Sequence, residues 1–337
     1  MSANRRRKLY LTSALVPVVF LLAGSAGGMA WFHFGNPNDT CASCHEMAGT
    51  HSAWAGSSHS SLHCRNCHGG SLTLDAHALR AHVNRVVQHF RRAPDQPIHL
   101  TEGELLTVHD ACRKCHPQSF ADWQSSRHSA SYARIFLDPT HNHTEQLAPD
   151  CLRCHGMFFN GNIEDLVSPC STTGPWKLID SAKASQPAIP CLACHRIHSP
   201  SAGFRAAQLY VRREHTSFAD DVLPSTPLVR GDQPVGASPD PRQRLCMQCH
   251  APNAFRQVGS ADDRTPSGVH EGLSCLDCHT SHSNSAKASC AACHPAISHC
   301  GIDVGQMDTS FHASASKHNI HTVACGDCHA GQRPAAK

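Results

Sequence analysis

Large apolar side chains are scarce in this chain. Leu, Ile, Val and Phe together number 61 of 337 residues, about 18%, under the roughly 20% at which strongly charged chains stay disordered. Charge is missing as well. The formal net charge is only +3, so the disorder signature is half absent, and the near-neutral balance argues against a nucleic-acid binder, which would show a basic stripe. Aromatic residues are few: 12 Phe, 4 Trp and 3 Tyr, fewer together than the 29 His. A core built from these side chains alone would be small for the chain's length. Something else must supply apolar mass.

Cysteine is abundant by contrast, at 20 residues. Nine C-x-x-C pairs run along the chain, and His follows each of them directly. They are Cys41, Cys44 and His45; Cys64, Cys67 and His68; Cys112, Cys115 and His116; Cys151, Cys154 and His155; and Cys191, Cys194 and His195. The remaining four are Cys246, Cys249 and His250; Cys275, Cys278 and His279; Cys290, Cys293 and His294; and Cys325, Cys328 and His329. C-x-x-C-H is the attachment motif of c-type haem. Two thiols three positions apart bond the two vinyl groups of one haem, and the next residue places an imidazole under the iron. Zinc also uses C-x-x-C pairs but does not need His directly after the second Cys, and a disulfide framework has no use for the His. The expectation is nine covalently attached haem c groups. Nine apolar discs would make up the missing core, so the chain without them should not fold stably.

Nine proximal ligands leave 20 of the 29 His for second axial positions. Ligation by two imidazoles closes both faces of the iron, which suits electron transfer; an open position would mark catalysis. The stretches "WAGSSH" (54–59) and "WQSSRH" (123–128) form an internal repeat with His five residues after Trp, which selects His59 and His128. His198 and His282 lie three residues after a proximal His, His270 five before Cys275, His109 three before Cys112, and His318 and His321 shortly before Cys325. These are the candidate distal ligands, each weighed against an ordinary solvated His. Cys170 and Cys300 fall outside the motifs and are open to two readings, a disulfide or two separate thiols.

The N-terminus reads as an export signal. Arg5, Arg6, Arg7 and Lys8 are followed by Leu9–Phe34, which carries no acidic or basic side chain except His33. About 20 apolar residues suffice to span a bilayer, and Trp31, Phe32 and Phe34 suit its interface. The favoured reading is an uncleaved anchor in the bacterial inner membrane with the bulk of the chain in the periplasm. Cleavage within "AGSAGGMA" (23–30) would instead give a soluble periplasmic protein. The expected architecture is mostly α and irregular, with one N-terminal transmembrane helix and haems forming much of the core. Its parts are a signal anchor at 1–34, a dihaem segment at 35–110 and a heptahaem domain at 111–337.

Few segments read as long helices. Residues 71–93 place Leu79, Val83, Val86 and Phe90 on one face and stop at Pro94. Thr101 and Glu104 have capping-box spacing before a helix leading into the third motif. Pro117 is placed to open another, carrying Phe120 and Trp123. Residues 156–190 and 199–245 read as surface loops with turns, open to use as docking surfaces or lids, with a strand at "QLYVRREHTSF". The motifs beginning at 246, 275 and 290 should lie close together.

Residues 5–116 resemble the NapC/NirT/NrfH family of membrane-anchored multihaem cytochromes. The resemblance rests on the basic n-region, the apolar span, Cys41-Cys44-His45 with Met47, then Trp54, Ser57 or Ser58, His59 and Cys64-Cys67-His68. It implies that Met47 is an axial ligand of the first haem beside a quinol site, that membrane quinol is the donor, and that a periplasmic redox protein or reductase is the partner. The chain departs from that family in having nine motifs rather than four or five, and in lacking a clear match to the family's quinol-site Lys and Asp; Asp75, His77, Arg80 and His82 are stand-ins. Beyond Cys112 the "CH…W…H" spacing resembles multihaem cytochromes of the cytochrome c-554 and octahaem type. The expected function is an electron conduit from membrane quinol through mainly bis-His haems to a periplasmic or outer-membrane partner. Two other readings stay open: a reductase or oxidase of a small nitrogen or sulfur compound with one five-coordinate haem, and a subunit of a haem filament, oligomer or larger respiratory complex. No residue is assigned a catalytic role.

Overall fold

The computed structural model describes residues 16–28, 30, 35, 37–69, 87, 89, 100–195, 197–198, 210–211, 216–217, 229–230, 233–234, 236, 238–250, 264–283, 290–294 and 319–328. The chain divides into two compact units: Met1–Lys114 with Ile197–Gly203, and Cys115–Arg196 with Phe204–Lys337. Described elements are short helices and irregular backbone, with three two-stranded sheets of two residues per strand.

In the first unit, residues 16–28 are helical, and Val16, Val18, Val19, Phe20, Leu21 and Leu22 are exposed. Among the described residues no helix is long and apolar enough to cross a membrane. Residues 1–15 and 31–34 of the expected anchor, and nearly all of the expected helix at 71–93, lie outside the described residues. Helix α1 spans Pro37–Ala42, a 3-10 turn covers His45–Met47, and α2 follows at Ala48–Ala55. Helix α3, Cys64–His68, is the second motif itself. Helix α4, Glu102–Cys112, has the expected capping box: the Glu104 N–H donates to the Thr101 hydroxyl at 3.4 Å and the Thr101 N–H donates to the Glu104 carboxylate at 2.9 Å. This satisfies two of the N–H groups a helix start leaves open. Leu105, Val108 and His109 form its buried face.

The second unit opens with α5, Pro117–Ser125, with Pro at its start as the sequence implies and Phe120 buried. Helices α6 (Tyr132–Phe136), α7 (Pro139–Thr144), α8 (Cys151–Cys154) and α9 (Ile163–Leu166) follow. Strands β1, Val167–Ser168, and β2, Lys177–Leu178, pair antiparallel with Val167 opposite Leu178. Residues 156–190 are not the surface loop their composition suggests. Phe159, Ile163, Leu166, Val167 and Ala188 are buried together with Tyr132, Phe136, Leu147 and Leu152 in one apolar core. The returning chain closes that core: Tyr132 N–H donates to Gln186 O at 3.0 Å, Ala188 N–H to Ala130 O at 3.0 Å, and Trp123 Nε1 to Ile189 O at 3.2 Å. Side chains therefore make a conventional core around the fourth motif.

Strands β3, Tyr210–Val211, and β4, Thr216–Ser217, form a hairpin in the stretch expected to hold a strand. Strands β5, Val229–Arg230, and β6, Gln233–Pro234, form another. Helix α10, Pro241–His250, carries the sixth motif at its end, while α11 (Cys275–Cys278), α12 (Cys290–Cys293) and α13 (Cys325–Cys328) are single motif turns.

Candidate metal centres

The motifs share a local geometry. The cysteines of a C-x-x-C turn stand three apart, which puts both thiols on one helix face. The amide that follows closes the turn: His155 N–H donates to Cys151 O at 3.0 Å, His195 to Cys191 at 2.9 Å, His279 to Cys275 at 2.9 Å and His294 to Cys290 at 2.8 Å. Motifs far apart in sequence thus present two thiols and an imidazole in one repeated arrangement.

Five of the motif histidines face a second histidine. Ring centroids are 5.4 Å apart for His45 and His89, 6.0 Å for His68 and His198, and 5.8 Å for His195 and His282. They are 6.1 Å apart for His250 and His128, and 6.1 Å for His279 and His321, whose planes lie 5° apart. Two imidazoles bound across one metal, with metal–nitrogen bonds of about 2 Å and each ring nitrogen about 1 Å from its centroid, have centroids about 6 Å apart. The described pairs match this width. Their donor set, two thiols and two imidazoles per site, fits a covalently attached haem.

Burial lowers the pKa of His128, His198 and His279, and the charge of nearby His250 lowers His128 and His279 further. These shifts favour the neutral ring, the form that binds metals. His109 is buried on α4 and is lowered by the same desolvation. His270 is half-buried with Nδ1 3.2 Å from Ile320 O. His59 is half-buried at the end of its repeat.

The two Trp repeats fold alike. Ser57 Oγ donates to Trp54 O at 2.7 Å and accepts the His59 N–H at 3.2 Å. Ser126 Oγ donates to Trp123 O at 2.7 Å and accepts the His128 N–H at 3.2 Å. The serine three after Trp thus fixes the backbone that presents each histidine, and of Ser57 and Ser58 it is Ser57 that does so.

Several motifs adjoin. The Cys41 and Cys64 side chains adjoin, as do those of Cys246 and Cys275. The starts of α10 and α11 are joined because Ser274 Oγ donates to Asp240 at 2.7 Å. The sixth and seventh motifs are therefore neighbours, as their crowding implies.

Of the expected distal ligands, His128, His198, His282 and His321 stand opposite motif histidines. His318, His329 and the side chains of Cys325 and Cys328 lie outside the described residues. Met47 is half-buried at the end of the 3-10 turn, its N–H donating to Cys44 O at 3.0 Å. Cys170 is a free thiol donating to Val167 O at 3.4 Å, and Cys300 is outside the described residues. His89 was not singled out by the sequence. Its only advance signal is its place near the end of the amphipathic stretch at 71–93, since it has no fixed spacing to a motif.

His89 Nδ1 lies 2.6 Å from Glu46 Oε1, and the same oxygen lies 3.4 Å from His45 Nε2. The Glu46 carboxyl is held below its ordinary pKa by a backbone hydrogen bond, against the cost of burial, with help from His89 and His45.

The family described as "Cytochrome c554 and c-prime" matches residues 111–167, which contain the third and fourth motifs and the second Trp repeat. Cytochrome c-type protein ImcH of Geobacter sulfurreducens is 29% identical over 119 residues, covering 34% of this chain and 24% of that protein. The matched part thus spans about a quarter of that relative's length. No solved structure matches. The two similarities support a c-type cytochrome with several covalently bound haems.

Proposed function

We propose that this multihaem c-type cytochrome is an electron conduit. It binds nine haem c groups, draws electrons from membrane quinol and delivers them to a periplasmic or outer-membrane redox partner. The observation that carries this reading is the set of five histidine pairs. Each pair would offer an imidazole to either face of a haem held at its site, an arrangement that suits electron transfer rather than substrate binding. Haem held this way supplies one-electron oxidation and reduction at its iron.

The chain's own residues do the rest. Motif thiols fix each group covalently, and the repeated turn sets the proximal imidazole against it. In "CHRIH" and "CHTSH" the first His serves its own motif, while the second stands opposite the proximal His of another: His198 opposite His68 and His282 opposite His195. A three-residue step spans at most about 11 Å. In "CHTSH" one short segment of the second unit therefore holds ligands for two sites of that unit and keeps those sites close. The adjoining thiols of Cys41 with Cys64, and of Cys246 with Cys275, support the same close spacing.

The proposal places the basic residues Arg5–Lys8 on the cytoplasmic side, an apolar anchor after them and the motifs in the periplasm. The exposed apolar side chains of residues 16–22 support it, because such a surface needs an apolar phase to cover it.

The test is low-temperature EPR of the as-isolated full chain in membranes, with intact mass and reduction by a quinol analogue. The expected result is a mass increase of nine haems, low-spin ferric signals at the paired sites and reduction by the quinol. High-spin haem that binds cyanide or nitric oxide at those sites would overturn the conduit. Failure of the quinol to reduce any haem would overturn the donor assignment.

A further inference from the structure

Glu46 occupies an unusual position for a carboxylate. Its side chain is 3% exposed. Oε1 meets His89 Nδ1 at 2.6 Å and His45 Nε2 at 3.4 Å, and Oε2 is buried with no hydrogen-bond partner. A buried carboxylate persists when it is paired or coordinates a metal, and an orphaned buried oxygen carries a desolvation penalty. Cys44 Sγ, a Glu46 oxygen and a His89 ring nitrogen lie within 4.8 Å of one another. The opening motif, a buried anion and a histidine from a distant segment therefore converge on one point. A ferric centre there would supply the positive charge the carboxylate faces.

Geometry also decides which side chain can stand opposite His45. His45 and Met47 belong to one 3-10 turn. Such a turn advances about 120° and about 2 Å per residue. Two such steps rotate about 240° and advance only about 4 Å, so Met47 leaves the turn close beside His45 but about 120° round from it. That separation is too short for the two side chains to face each other across one metal. The opposing ligand must come from another segment, and His89 does, with its ring 5.4 Å from that of His45.

We propose that His89 is the second axial ligand at the first C-x-x-C-H site, opposite His45, and that Glu46 is the positioning carboxylate that holds its ring. With Nδ1 committed to Glu46, Nε2 is the atom that meets the iron. A carboxylate on the far nitrogen fixes the tautomer of a ligating imidazole and raises its basicity. The proposal rests on the haem reading above and assigns this site two imidazoles, where the family resemblance would give it Met47.

The test compares His89→Ala, Glu46→Gln and Met47→Ala in the haem-loaded full chain by EPR, potentiometric titration and intact mass. His89→Ala should convert one haem from low to high spin with the haem count unchanged. Glu46→Gln, which keeps the fold but weakens the hydrogen bond, should raise the midpoint potential of one haem while it stays low-spin. Met47→Ala should move neither signal. Loss of one low-spin signal in Met47→Ala, with His89→Ala silent, would overturn the proposal in favour of Met47. A spin change in Glu46→Gln with His89→Ala silent would overturn it in favour of the carboxylate as ligand. A mass without haem in the parent chain would instead refute the underlying haem reading.

Discussion

Gly156 directly follows the histidine of the fourth motif at φ +130°, a backbone region that L-residues rarely adopt. A Cβ there would stand 3.0 Å from Leu152 Cδ2 and 3.1 Å from Tyr132 Cε1, two buried members of the apolar core. The residue turns the chain sharply out of the motif while the core packs against its bare face. Gly156→Ala should destabilise the chain by about 1–3 kcal/mol, from backbone strain and crowding together. Denaturant unfolding of the haem-loaded chain, followed by far-ultraviolet circular dichroism, would measure it, and an unchanged midpoint would refute the strain argument. Residue-level chemistry was legible wherever a motif spells it out. The structure sets His128, expected from the Trp repeat, and His198, His282 and His321, expected from their spacing to motifs, opposite motif histidines. His89 could not be read this way. Its partner His45 lies 44 positions earlier, and only the folded chain brings them together.

Among elements, the helix starts were the most readable, because capping chemistry is local. Thr101 with Glu104 and Pro117 each opened a helix where expected. The stretch at 156–190 was misread because its helix and strands are two to four residues long, too short to show a period. The Trp repeat lies between these cases. Sequence shows that it recurs, and the structure shows why, with Ser57 and Ser126 tying each Trp carbonyl to the amide of its histidine. Ser126 is 3% exposed, and Ser126→Ala removes two part-buried hydrogen bonds, each worth about 0.5–1.5 kcal/mol. It should also loosen the turn that holds His128 6.1 Å from His250. The expected outcome is a modest loss of stability and a broadened or shifted EPR signal for one haem, with the other signals unmoved. If every haem signal stays the same, the serine supports the fold without positioning a ligand.

At the scale of the whole molecule, the low content of Leu, Ile, Val and Phe is unevenly distributed. Among the described residues of the first unit, the buried hydrophobic side chains are Leu105 and Val108. The second unit holds a contiguous core from Tyr132 to Ala188. Fully burying one large apolar side chain contributes about 1.5–3 kcal/mol, so the second core can offset much of the conformational entropy of its own segment, whereas two such residues cannot do so for the first unit. The composition alone implied that the chain without haem would be unfolded throughout. The structure sharpens this to a division along the chain. When thioether formation is prevented, residues 130–189 should keep backbone protection, while residues 37–69 of the first unit, where Leu105 and Val108 are the buried hydrophobic side chains among the described residues, should lose it. Hydrogen exchange read by mass spectrometry on the haem-loaded and haem-free chains measures this directly. Protection factors in 37–69 should fall to near those of an unfolded chain, and those in 130–189 should fall much less. Equal loss in both regions would mean that the apolar core cannot stand without the cofactor. Equal retention would mean that the motif turns need no haem to hold them.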